Sequence, residues 1–427
     1  MLNKPTQYTL HCCADGHRFE DQGWTLADSA CSCPSLVRAE YENKEFNPRE
    51  DLDGLYRYAD WLPINRTLKG SCPPMTYKSE ALAKELGLEN LYITFSGYWP
   101  KIGAAMATCS FKETEAYSVC GRLTPDNDKV LVVASAGNTA RAFAKVCSDN
   151  DIPLLISIPE DNMDALWFSA PLNDCVKIIA APKGSDYYDA IALADKVCTD
   201  PHFMAEGGAK NVARRDGMGT TLLSAVEVIG RIPDAYFQAI GSGTGAIAAW
   251  ENNLRLIEDG RFGTHRMRLY PSQNAPFTVI YDSWKLRSRA LVELTPDDAR
   301  KAAEEIKAKV LSNRKPPYSL AGGLYDAMQD AGGDIFKVTN EDLDVWKEKF
   351  QQLEGIDIHN ASAVAVASLA QAVADGKVKK DEVIMLNITG GGEQLAKAEQ
   401  DVVYAKPHLV LDPGLPAEDI VNAVLEL

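Results

Sequence analysis

Lys112 follows Ser110-Phe111 within a run of small and weakly polar residues, Gly103 to Cys109 before it and Ala116 to Val119 after it. That setting predicts a partly buried amine. Burial lowers a lysine pKa toward the neutral nucleophile that forms a Schiff base with a carbonyl. Two later loops suit anions. Ala134-Ser135-Ala136-Gly137-Asn138-Thr139 joins the apolar run Val130–Val133 to a helical pattern. Backbone N–H groups there, around Ser135, Gly137 and Thr139, can receive a carboxylate, and the Asn138 amide can donate to a phenolate-type oxygen. Gly241-Ser242-Gly243-Thr244-Gly245 joins Tyr236–Ile240 to a second helical pattern. Its glycines allow close backbone approach, its hydroxyls donate, and the following helix presents its positive end to a phosphate. The loop lacks both the P-loop ending and the dinucleotide spacing, which points to a monophosphate. A third loop, Asn387-Ile388-Thr389-Gly390-Gly391-Gly392, places a hydroxyl at Thr389 that can bond a neutral ring nitrogen. Taken singly, each loop also reads as an ordinary capped or glycine turn.

The elements that must position these residues follow from pattern. Residues 51–62 read as an aromatic-rich helix ended by Pro63, and 78–87 as a short amphipathic helix closing at Gly87. From Leu91 to Phe95 onward, strands at Val130–Val133, Leu154–Ile158 and Val176–Ala180 alternate with helices at 139–148 and 186–198. A second alternation begins at Tyr236 and runs through Leu269, Val279-Ile280 and 383–388. This spacing predicts parallel strands with crossover helices, in two α/β domains with a cleft between them.

At 427 residues the chain can bury a large core. A net charge of −16 argues against nucleic acid or an anionic membrane surface as partner. An anionic substrate must then be held locally, against the overall field. No run approaches the roughly 20 apolar residues of a membrane span, and no signal peptide is visible, so a cytoplasmic, reduced protein is expected. The first 45 residues form a separate small unit. His11-Cys12-Cys13, His17 and Cys31-Ser32-Cys33 suggest a zinc ribbon, but the spacings are not two Cys-x-x-Cys knuckles, which predicts a ribbon-like fold without metal.

Together and in this order, the pieces resemble the fold-type II pyridoxal-phosphate (PLP) enzymes, and within them the threonine synthase family. Gly54-Leu55-Tyr56-Arg57-Tyr58 is similar to that family's helix near the N-terminus, Ser110-Phe111-Lys112 to its lysine motif and Thr389-Gly390 to its C-terminal Thr-Gly. The degenerate cysteine cluster also fits the ribbon-like start of many members. The resemblance implies a doubly wound α/β fold with a ribbon-like extension at 1–45. It implies a large domain from 46–90 and 216–427, and a small domain from 91–215 carrying the lysine and the Asn loop. It implies that Lys112 holds PLP covalently, Asn138 contacts the 3′-oxygen, Gly241, Ser242, Gly243, Thr244 and Gly245 hold the phosphate, and Thr389 meets the pyridine nitrogen.

Departures from the family pattern narrow the activity. Glu113-Thr114 follow the lysine where Asp-Arg is usual, Tyr98 to Cys109 replaces a Pro-Thr-Gly approach, and Arg141 stands in the helix after the Asn loop. These are similar to the branch that replaces the phosphate of O-phospho-L-serine by sulfite, giving L-cysteate for coenzyme M biosynthesis. Water with O-phosphohomoserine, or sulfide with O-phosphoserine, are the alternatives. Arg141, in the first turn after Asn138, is the expected oxyanion contact. Lys101 is a second candidate, although it reads first as a solvated charge, as do Arg214 and Arg215. A homo-oligomer is expected.

Overall fold

The computed structural model describes Leu2 and residues 4–427. A three-stranded antiparallel sheet, β1 (Tyr8–Cys12), β2 (Arg18–Phe19) and β3 (Val37–Tyr41), forms the N-terminal unit with β1 in the middle. The chain then runs through β4 (Met75–Lys78), β5 (Asn90–Phe95), α1 (Lys112–Arg122), β6 (Val130–Ala134), α2 (Asn138–Asp149), β7 (Leu154–Pro159), β8 (Val176–Ala181), α3 (Tyr187–Val197), β9 (Phe203–Ala205) and α4 (Val212–Ile229). It continues through β10 (Ala235–Ala239), α5 (Thr244–Asp259), β11 (Arg268–Asn274), α6 (Val279–Lys285), β12 (Phe336–Val338), α7 (Asn360–Ala374), β13 (Val383–Ile388), α8 (Glu393–Glu399) and β14 (Leu409–Val410).

Two sheets result. The smaller has the order β9-β6-β7-β8-β14 and is parallel throughout. The larger has the order β12-β11-β10-β13-β5-β4, with only β4 antiparallel. Parallel strands covered on both faces must be apolar along their length, and Ile384, Met385 and Leu386 of β13 are all fully buried.

Helix α4 joins the two halves and is buried along most of its length. A β-carbon at Gly217 would run into the Thr114 carbonyl, so α1 and α4 meet with no side chain between their backbones. That contact fixes the start of α1, where Lys112 sits, against the central helix.

Several sequence expectations need correction. Val279-Ile280 opens helix α6 instead of a strand, because the Gln273 side chain accepts from the N–H groups of Ile280 and Tyr281 at 2.9 Å and starts the turn there. The aromatic stretch is a 3₁₀ segment, Gly54–Trp61, kinked at Tyr58. The expected helix at 78–87 shortens to Ala81–Leu86, since Met75–Lys78 pairs antiparallel with β5. The boundary expected at residue 91 also moves. β5 pairs with β13 in the larger sheet, while β14, far along the chain, adds to the smaller one.

The N-terminal unit touches both halves. Trp24 Nε1 donates to the carbonyl of Ala205 at 2.9 Å, and the Leu36 N–H donates to the carbonyl of Ala321 at 2.9 Å. Among the described residues, no helix is long and apolar enough to cross a membrane.

Candidate functional site

The lysine segment is pinned to the third glycine loop by backbone hydrogen bonds. The Phe111 N–H donates to the Thr389 carbonyl at 2.9 Å, and the Gly391 N–H donates to the Cys109 carbonyl at 3.1 Å. Ser362 Oγ accepts from the Gly390 N–H at 3.1 Å and donates to its carbonyl at 2.8 Å, which orients the loop. Thr389 follows β13 and Gly241 follows β10, and these strands are parallel neighbours. Lys112, Thr389 and the glycine loop therefore share the carboxyl edge of the larger sheet, where open α/β sheets bind ligands.

The Asn loop reaches the same place from the smaller sheet. Lys112 Nζ lies 3.2 Å from Glu115 Oε2, and Thr139 Oγ1 donates to Glu115 Oε1 at 3.0 Å. Glu115 is fully buried and also lies 3.3 Å from Arg214 Nη1. Arg214 in turn forms a two-point pair with Glu206, at 2.8 and 2.5 Å. Burial lowers the Lys112 pKa while Glu115 raises it, and the net direction is down. Burial alone would lower the Arg214 pKa, but Glu115 and Glu206 outweigh it and hold the guanidinium charged.

The glycine loop is shaped for close approach. Gly243 has φ +78°, and a β-carbon there would meet the Leu324 side chain at 2.6 Å. A β-carbon at Gly245 would meet the Gln238 side chain at 2.7 Å. Ser242 Oγ and Thr244 Oγ1 lie 2.8 Å apart at the start of α5, a helix of 16 residues. An amine of lowered pKa, an N–H-rich loop at a helix start and a hydroxyl after β13 are the donor set that PLP requires, so these residues fit that cofactor.

The remaining candidates divide. Ser135 Oγ accepts from the Gly137 N–H at 3.2 Å within the loop, and the Ser135 N–H donates to the Ser157 carbonyl of β7 at 3.0 Å, so both its side chain and its N–H are already engaged. Asn138 and Thr139 begin α2, where helical N–H groups lack partners within the helix. Arg141 departs from expectation. It is 2% exposed, donates to the Thr108 carbonyl at 2.5 Å, lies over the Trp167 ring at 4.4 Å and sits 3.9 Å from Glu393 Oε2. These contacts differ from that of Thr139, two positions earlier, which bonds Glu115. Lys101 is exposed on the turn Pro100–Ile102 and outside this cluster. Arg215 is buried and Arg214 half-buried, and both are held in ion pairs because carboxylates from distant segments (Glu115, Glu206, Glu251) reach them.

Glu115 had a legible signal, being three residues from Lys112 on a helix and so on the same face. Glu206, Glu393 and Trp167 had none, since each arrives from a separate element. In the N-terminal unit, Cys12, Asp15 and Cys31 bring ligand atoms within 4.8 Å of one another, a convergence the cysteine spacings did not suggest.

A family model described as pyridoxal-phosphate dependent enzyme matches residues 74–390. A cysteate synthase of Methanocella paludicola is 45% identical over 421 residues, covering 98% of this chain and 97% of its own. One from Methanosarcina acetivorans is 47% identical over 388 residues, covering 90% and 93%. Among solved structures, the processed threonine deaminase isoform 2 of Solanum lycopersicum superposes with a TM-score of 0.58 at 17% identity, over 79% of this chain and 90% of that one. Maize serine racemase gives 0.57 at 14% identity, over 76% and 90%. These two carry the fold, the fold-type II arrangement. With the relatives' identity spanning nearly the whole chain, the protein belongs to the cysteate synthases within the pyridoxal-phosphate-dependent enzymes.

Proposed function

We infer that this enzyme is a PLP-dependent transferase that replaces the phosphate of O-phospho-L-serine by sulfite, giving L-cysteate and phosphate for coenzyme M biosynthesis. Full-length identity to cysteate synthases carries the substrate assignment. The geometry that supports it is the meeting of Lys112, Glu115 and Thr139 beside the Thr389 loop.

When bound, PLP supplies the electron sink that stabilises negative charge at the substrate Cα. Every other task falls to the chain. Lys112 holds the cofactor, and its freed amine takes the proton from Cα and later returns it. Glu115 orients that amine, and Arg214 with Thr139 holds the Glu115 carboxylate in place. The first N–H groups of α2, at Asn138 and Thr139, receive the substrate carboxylate. Asn138 serves the 3′-oxygen, Gly241 to Gly245 the cofactor phosphate, and Thr389 the ring nitrogen. A hydroxyl there, in place of a carboxylate, leaves that nitrogen unprotonated and favours replacement at Cβ over transamination.

The oxyanions need a cation that solvent can reach. Arg141 and Arg214 expose only 3% and 13% of their side chains, against 23% for Arg314. Arg314 and Lys315 are better placed. Their segment borders the glycine loop, where a β-carbon at Gly241 would meet the Val310 carbonyl at 2.9 Å. Arg314 lies 3.3 Å from Asp186 and over the Tyr188 ring at 5.2 Å, so it spans the cleft between the two sheets. We assign departing phosphate and arriving sulfite to this side. All ten cysteines are unpaired, which suits a cytoplasmic enzyme, and we take the assembly to be a homo-oligomer.

The test is product analysis of purified holoenzyme. O-phospho-L-serine and O-phosphohomoserine are each offered with sulfite, sulfide and water. Cysteate and phosphate in equal amounts are expected only from O-phosphoserine with sulfite. Threonine from O-phosphohomoserine and water, or cysteine formed faster than cysteate, would overturn the assignment.

A further inference from the structure

We propose that Cys12, Asp15 and Cys31 form a zinc site in the N-terminal unit. Two thiol sulfurs and one carboxylate oxygen lie mutually within 4.8 Å. In a tetrahedral zinc site, bonds of about 2.3 Å to sulfur and about 2.0 Å to oxygen place the ligand atoms roughly 3.5–4 Å apart. Side-chain rotation alone closes the difference.

The backbone around Cys12 is folded as a metal-binding turn requires. Cys12 ends β1, and the chain reverses through Cys13-Ala14-Asp15-Gly16 into β2. The Gly16 N–H donates back to the Cys12 carbonyl at 3.0 Å, and the Cys12 N–H donates to the His17 carbonyl at 2.8 Å. Gly16 has φ +78°, a conformation that glycine adopts without strain. The turn thus brings position 15 round toward position 12, as in a Cys-x-x-Cys knuckle, with aspartate in place of the second cysteine. Spacing alone hides this, because a count of cysteines misses the carboxylate.

The second half of the site comes from the loop between β2 and β3. Cys31 Sγ lies 3.7 Å from the Cys33 carbonyl, which brings Cys33 to the same end. His17 is otherwise engaged, with Nδ1 2.8 Å from Asp28 and its ring stacked on Phe19. Cys13 turns to the opposite side, where a β-carbon at Gly322 would meet its sulfur at 2.6 Å. The fourth position therefore goes to Cys33 or water. A donor set of thiolates with a carboxylate, in tetrahedral reach, selects zinc over magnesium or calcium, which take oxygen ligands.

The site has a structural task. The N-terminal unit is small and relies on few strands, and small units of this kind draw folding energy from a bound metal. It also abuts both walls of the cleft. Ser35 bridges to Ala321, three residues before the Leu324 that packs on Gly243 of the phosphate loop. Leu26 packs on Gly207, next to Glu206, the partner of Arg214. A metal closing the loop of residues 12–31 would steady both contacts. It takes no part in the chemistry at Lys112.

The experiment is metal analysis of the holoenzyme expressed in zinc-supplemented medium and dialysed against chelator-treated buffer, with zinc K-edge X-ray absorption on the same sample. Close to one zinc per chain is expected, with a mixed sulfur and oxygen shell. Two sulfurs assign water to the fourth position and three assign Cys33. Asp15→Asn and Cys31→Ser, both outside the core, should weaken zinc retention by more than about tenfold while PLP content stays unchanged. Cys198→Ser, in the smaller sheet's surroundings, should leave zinc untouched. Metal below a tenth of an equivalent in the wild type, retention unchanged in both variants, or a Cys12–Cys31 disulfide in the reduced preparation would each overturn the site.

Discussion

Lys112 Nζ lies 3.2 Å from Glu115 Oε2, one helical turn further along α1. The carboxylate is itself fixed by Thr139 and Arg214, from two other helices. The amine is thereby steered, and its basicity is set by two opposed effects, burial lowering the pKa and Glu115 raising it.

That opposition is measurable in the cofactor-free enzyme. Only the neutral amine attacks an aldehyde, so the rate of PLP uptake should rise with pH through a pKa below the ordinary lysine value. Glu115→Gln removes the raising influence and should move the midpoint lower still. A wild-type midpoint at or above that of free lysine would refute the buried-amine assignment.

Lys112→Ala should abolish turnover and the visible absorption of lysine-bound PLP while the fold persists. Borohydride reduction of wild-type holoenzyme, followed by peptide mapping, should mark Lys112 alone. A label on Lys101 would move the site.

Arg314 and Arg141 should separate in kinetics and stability. Arg314→Ala should lower kcat/KM for O-phosphoserine or sulfite by about 1.5–3 kcal/mol, the range for a hydrogen bond to a charged group. Arg141→Ala should lower stability by roughly 2 kcal/mol, the size of a desolvated cation–π contact, with KM for both substrates near wild type. The reverse pattern would return the oxyanions to Arg141.

Glu113 is buried, accepts from the Thr108 N–H, and its carboxyl is pushed up from 4.5 to about 7 by burial. The folded state then holds a proton that the unfolded chain releases near pH 4.5, so this contribution is full below that pH and lost as pH rises through 7. Glu113→Gln does not titrate. Relative to that variant, the wild type should lose roughly 2–4 kcal/mol of unfolding free energy between pH 4.5 and 7, at about 1.4 kcal/mol per pH unit. Parallel pH–stability curves from chemical denaturation would contradict it.

Much of the fold and site was legible because it is local. Apolar runs of five or six residues at Val130, Leu154, Val176 and Val383 became parallel strands, since burial on both faces demands continuous apolar character. The glycine loop and the Asn loop were legible because the turn from strand to helix, and the N–H groups it frees, are properties of a few adjacent residues. Lys112 was legible by its setting among small side chains.

The cations were not legible, because a guanidinium's fate depends on which carboxylate reaches it. The place of Arg141 in the first turn predicts a side chain near the cofactor, yet a helical residue three positions from Asn138 follows its own rotamer, here toward Trp167 and Thr108. A lone arginine such as Arg214 reads as solvated, yet Glu115 and Glu206 reach it from α1 and the end of β9. Asp15 carries no signal in the cysteine spacing, because only the turn at Gly16 carries it back to Cys12 and across to Cys31. The sequence by itself determined the elements, the loops and the lysine, through rules of period and turn. The tertiary structure alone decided how buried charges pair, since desolvation makes every such pairing depend on residues far apart in the chain.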